Sequence, residues 1–84
     1  MPYEVMTKNN EVFEIGVDNI YFNKKEIQDL QNIQNEIVEK KNNSYVILLC
    51  SNDKPEALVE IMSFLKDNNV ENVSVQSLLG NREC

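Results

Sequence analysis

The sequence predicts an α+β two-layer sandwich of order β-β-α-β-α-β, one mixed sheet with two helices packed on one face. Three observations predict it: an alternating stretch at 11–17, a continuous apolar run YVILLC at 45–50, and two apolar stripes of helical spacing between and after them. At 84 residues the chain is one domain at most. It divides into an N-terminal extension at 1–10, an α/β core at 11–76 and a flexible tail at 77–84.

Residues 11–17 place Phe13, Ile15 and Val17 on one face, as a half-buried strand does. Asp18 and Asn19 both tolerate positive φ and suit a two-residue turn. Ile20, Tyr21 and Phe22 return as the second strand. Asn23 followed by Glu26 matches a capping box, which opens a helix over 23–40. Ile27, Leu30, Ile33 and Ile37 form its stripe, and Lys40 and Lys41 sit at the negative end of its dipole. Residues 41–44 are a loop.

The YVILLC run is of strand length and reads as a central strand covered on both faces. Asp53, Lys54, Pro55 and Glu56 offer an N-cap with Pro in the first turn of a helix over 55–67. Leu58, Ile61, Met62 and Leu65 give its apolar face, so Leu58→Ala or Ile61→Ala should cost about 2–5 kcal/mol. Asn68 and Asn69 close it, because Asn adopts the left-handed conformation more readily than other non-glycine residues. The last strand, 70–76, turns Val73 and Val75 to one side and Asn72, Ser74 and Gln76 to the other. Right-handed crossovers then put both helices on the same face.

One alternating set of the central strand must meet the helices and the other must face outward. The sets are Val46, Leu48 and Cys50, or Tyr45, Ile47 and Leu49. Tyr45, Ile47 and Leu49 are taken as the candidate partner or dimer surface, since an exposed apolar sheet face is a common interaction surface and two-fold dimers are the commonest oligomers.

The net charge of −6 disfavours nucleic acid and anionic membrane surfaces, both of which are bound through Lys and Arg. A basic protein partner stays open, although an acidic balance more often reflects solubility alone. No apolar run approaches the length of a membrane span, and residues 1–10 lack a signal-peptide core. Without His there is no Ser-His or Cys-His pair, and two Gly residues make no phosphate loop. Cys50 and Cys84 lack the spacing of a zinc site. The carboxylates are scattered over polar faces. No catalytic residue, cofactor or metal is therefore expected. Cys50 reads as a small buried hydrophobe, and Cys84, the last residue, as mobile. The cysteines leave the compartment open. Asn42-Asn43-Ser44 and Asn72-Val73-Ser74 match the glycosylation acceptor pattern, which is short enough to arise by chance.

The order of motifs over 12–76 carries a family resemblance. FEIGVDNIYF, a polar pair, a helix, and then VILLCSNDKPEALVEIMSFLKDNNVENVSV resemble the periplasmic domain of ExbD/TolR proteins. Those domains have a hairpin ending in a motif like "iyvngk", here Ile20-Tyr21-Phe22-Asn23-Lys24-Lys25. They also have a polar turn like "dkdvpy", here Ser51-Asn52-Asp53-Lys54-Pro55-Glu56. A helix like "vvkvmdalkkaG" at 58–69 and a strand at 70–75 follow. The chain departs from the pattern at Leu49, Cys50 and Ser51, where a charged residue and Ala-Asp are usual. It departs again at Asn69 for Gly and at Glu56 for an aromatic.

The resemblance implies a non-enzymatic periplasmic domain of a bacterial inner-membrane protein, excised from the family's single transmembrane helix. Such proteins pair as homodimers and partner an ExbB/TolQ-like channel. They help couple the proton-motive force to a TonB/TolA-like transducer for outer-membrane transport or integrity. Two other readings stay open. Residues 53–75 also resemble the start of an ACT domain, a ligand-binding regulatory module, although Glu56 replaces its Gly and little chain follows. Size and charge alone would fit an acidic inhibitor or immunity-type protein.

Overall fold

A computed structural model of the chain describes residues 10–51 and 55–78. The elements are β1 Glu11–Ile15, β2 Ile20–Phe22 and β3 Lys25–Ile27, then a 3-10 turn Leu30–Ile33 that runs into α1 Gln34–Glu39. After these come β4 Tyr45–Leu49, α2 Pro55–Asp67 and β5 Val73–Ser77. The strands make one mixed sheet in the order β3-β2-β1-β4-β5. β1, β2 and β3 form an antiparallel meander, while β4 pairs parallel with β1 on one side and β5 on the other. The expected α+β architecture and element order are present, with one strand added.

That strand corrects the first helix. Asn23 and Lys24 take φ of 52° and 70°, the left-handed pair that a two-residue hairpin turn requires. The chain reverses there into β3, and Glu26 pairs across to Tyr21 instead of reaching back to a helix N-terminus. Helical structure starts later, where the Asp29 carboxylate accepts the Gln31 N–H at 3.0 Å. The first hairpin is also shifted by one residue. Gly16 donates its N–H to the Asn19 carbonyl, so Val17 and Asp18 form the turn, and Val17 is 60 % exposed instead of lying in the strand.

α2 begins at Pro55 as expected, and residues 52–54 with the anticipated Asp53 cap lie outside the described residues. Its end is a Schellman motif. Asn69 is left-handed at φ 66°, Asn69 N–H bonds the Lys66 carbonyl, and Val70 N–H reaches back to Leu65. Val70 and Leu65 are both buried, which supplies the apolar contact that usually accompanies the motif. The buried face of α2 is Ala57, Ile61 and Leu65, with Leu58 partly buried and Met62 exposed. The stripe is thus rotated toward Ala57 relative to the expected one.

The main core lies between sheet and helices. Phe13, Ile15 and Phe22 from the meander and Tyr45 and Ile47 from β4 pack against Ile33 and Ile37 on one side and Ala57, Ile61 and Leu65 on the other. One cluster that includes both helices and these strand residues means both helices cover the same face. The Phe13 and Phe22 rings, cross-strand partners, have centroids 4.8 Å apart, within the range of favourable aromatic pairing.

Candidate partner-binding surface

The candidate surface residues Tyr45, Ile47 and Leu49 face the helices, which corrects their assignment as an outward surface. The β1–β4 register is the reason: Phe13 lies beside Ile47 and Ile15 beside Leu49, so these side chains share the helix-covered face. Ile47 is fully buried, Tyr45 is 1 % exposed, and Leu49 packs at the margin of the same cluster. The Tyr45 hydroxyl donates to the Lys40 carbonyl at 3.1 Å. Burial, and then the Glu11 and Glu36 charges, push the phenol up to about 12. Lys40 Nζ in turn bridges Glu11 at 3.3 Å and Glu36 at 3.6 Å. The hydrogen bond and charge of Glu11 are what raise the lysine above its ordinary value. This group fastens the end of α1 to the start of β1 and β4.

Val46 and Leu48 point away from the helices, and this outer face is buried too. Val12, Val46, Leu48 and Leu78 form a second cluster against which Cys50 packs. Leu78 donates its N–H to the Leu49 carbonyl at 2.7 Å. The tail expected from 77 onward is therefore ordered at its start: Ser77 belongs to β5 and Leu78 is buried. Cys50 is disulfide-bonded, not a free buried thiol. The sequence holds one other cysteine, Cys84, which lies outside the described residues. Residue spacing offered no signal for that bond, because two distant cysteines carry no framework pattern.

Among the described residues β5 is an open, uncharged edge of the sheet, whereas the opposite edge, β3, carries Lys25 and Glu26. The β5 sequence VSVQS has no charge and no Pro, it ends the strand order, and it is mostly exposed. Natural edges are usually blunted by charge or Pro, so an unprotected one is a template for another strand. Beside it runs a groove lined by Met62, Ser63, Lys66, Val70, Glu71 and Val73. Met62 is 45 % exposed and Val75, on the same side of β5 as Val73, is 39 % exposed. A strand added to β5 would lay alternate side chains along these residues, the geometry of β-augmentation. The missed signal was the uncharged run itself.

Chemistry is thinner. A small cleft brings Asp29 and Glu60 to one wall, but Asp29 already caps the 3-10 turn. Among the described residues no group of three or more His, Cys, Asp or Glu is placed to hold a metal ion, and no helix is long and apolar enough to cross a membrane. No protein-family model matches the chain, and neither does any curated protein or solved structure.

Proposed function

We propose that this chain is a non-enzymatic partner-binding domain of the ExbD/TolR type on the periplasmic side of a bacterial inner membrane. There it would work with an ExbB/TolQ-like channel and help couple the proton-motive force to a TonB/TolA-like transducer. The observation that carries the reading is the turn at Asn23-Lys24. The motif this segment resembles has Asn-Gly at those two positions, and both residues here are left-handed, the conformation for which Asn-Gly is the preferred pair. The backbone at these two positions thus supports the resemblance with a physical reason. The element order after it also agrees with the order of motifs, and a disulfide at Cys50 suits an oxidising compartment.

The edge of β5 and the groove beside Met62 are the surface on which the transducer would dock, as an added strand. The homodimer implied by the resemblance would draw on the same edge, since the outer sheet face is buried in the single chain. The test is a photo-crosslinking residue at position 75, placed in the protein expressed in its own bacterium. Crosslinks to a TonB- or TolA-like protein are expected, and they should disappear when Val73 is replaced by Pro. Crosslinks to neither transducer type would overturn the reading.

A further inference from the structure

We propose that the cleft between the β2–β3 hairpin and α2 is a socket for a lysine side chain of a partner protein, its stem on an isoleucine floor and its ammonium at Asp29 and Glu60. The proposal goes beyond docking at β5 and does not depend on it, because the cleft lies toward the opposite edge of the sheet. Ile20 and Ile27 are direct cross-strand partners, and Leu30 follows where the chain leaves β3 and enters the 3-10 turn. These three are only partly buried at the margin of the main core, and the fully buried Ile61 of α2 completes the floor. The cleft holds about 130 Å³, well below the roughly 300–1,000 Å³ of sites that take drug-sized ligands or cofactors. One long side chain is an occupant of that scale.

The rim is polar and acidic. Gln28, Asp29 and Glu60 line it, in a chain of net charge −6. The ion pairs among the described residues join Lys40 to Glu11 and Glu36, and neither rim carboxylate takes part. Lys24 and Lys25 stand at the other end of β3 from Ile27. Asp29 already accepts the Gln31 N–H through Oδ1 at 3.0 Å.

With that oxygen committed, a guanidinium fork cannot engage Asp29 through both oxygens. A compact ammonium with three donors can meet the second Asp29 oxygen, Glu60 and the Gln28 amide oxygen. Lysine also suits the floor, since its methylenes cover apolar surface while its head stays at the wet rim. An anion would face two like charges. An apolar side chain would take water from the carboxylates and give nothing in return.

The probe is N-acetyl-lysine methylamide, titrated into the full chain and followed by the methyl resonances of Ile20, Ile27, Leu30 and Ile61. Saturable shifts confined to these residues are expected at millimolar probe, with Val75 unmoved. The norleucine analogue, which keeps the stem and lacks the charge, should bind about three- to five-fold more weakly, the range of exposed ion pairs. Glu60→Gln should weaken the lysine probe by a similar factor. Asp29→Asn should do so too while the thermal midpoint stays near the parent's, because Asn caps as well as Asp. Crosslinking from position 75 should be unaffected by Glu60→Gln, so this proposal and the reading of β5 fail separately. Equal binding of the norleucine analogue would leave only an apolar notch, and tighter binding of butylammonium would assign the cleft to a free amine. Either result overturns the proposal, as would lysine shifts that ignore both substitutions or no shift at all.

Discussion

Asn23 closes both backbone groups of Val12. Its side-chain oxygen accepts the Val12 N–H at 2.9 Å, and its own N–H donates to the Val12 carbonyl at 2.8 Å. Its amide also donates to Glu11 at 3.2 Å. One residue therefore shapes the β2–β3 turn and ends the β1 ladder. Asn23→Ala removes the bond to Val12 and places a poorer residue at φ 52°, so a loss of about 1–2 kcal/mol is expected. Lys24→Gly, at φ 70°, should instead stabilise by up to about 1 kcal/mol. Denaturant midpoints check both, and a stabilising Asn23→Ala would contradict the account of the turn.

Position on α2 decides the next case. Ile61 is fully buried in the main core while Leu58 is only partly so. Ile61→Ala should cost about 2–5 kcal/mol and Leu58→Ala about half as much, because a partly open site relaxes around the lost atoms. Equal losses would mean that the helix sits rotated from the orientation described.

Alkaline pH should act through Tyr45. Its folded value of about 12 lies above the unfolded value near 10, so the folded state holds the proton more tightly. That contribution is complete below pH 10 and is lost as pH rises from 10 to 12, by at most about 2–3 kcal/mol. Lys40, also raised, changes in the same direction. Tyr45→Phe removes the phenol's part and costs about 1 kcal/mol at neutral pH through the lost bond to Lys40. Stability measured from pH 9 to 12 should fall less steeply for Tyr45→Phe, and parallel slopes would rule the phenol out.

What the sequence made legible was local. The YVILLC run, the Pro55 start and the Asn69 cap each depend on neighbours along the chain, and each stands in the structure. Asn23 with Glu26 satisfied two local grammars, capping box and hairpin turn, and only pairing of Glu26 with Tyr21 decides between them. Both alternating sets of β4 are apolar, so nothing within that strand says which meets the helices. The answer lies in β1, where Phe13 and Ile15 set the helix face against the lone Val12. The Cys50 disulfide is not legible either, because two cysteines make no framework pattern.

The parallel pairing of β1 with β4 has a kinetic consequence. The meander of 11–27 and the strand–helix–strand unit of 45–77 each consist of contacts close in sequence, and the seam joining their strands is β1 against β4. Local contacts assemble early, and the long closure across the seam comes last. Phe13 and Ile47 face each other on that seam, so their truncation should slow folding itself, while Lys24→Gly should act on the meander alone. A single peptide cut in the exposed stretch 41–44 should accordingly leave two pieces that find each other and restore the native spectrum on mixing. Pieces that stay unfolded together would show that the seam needs the tether.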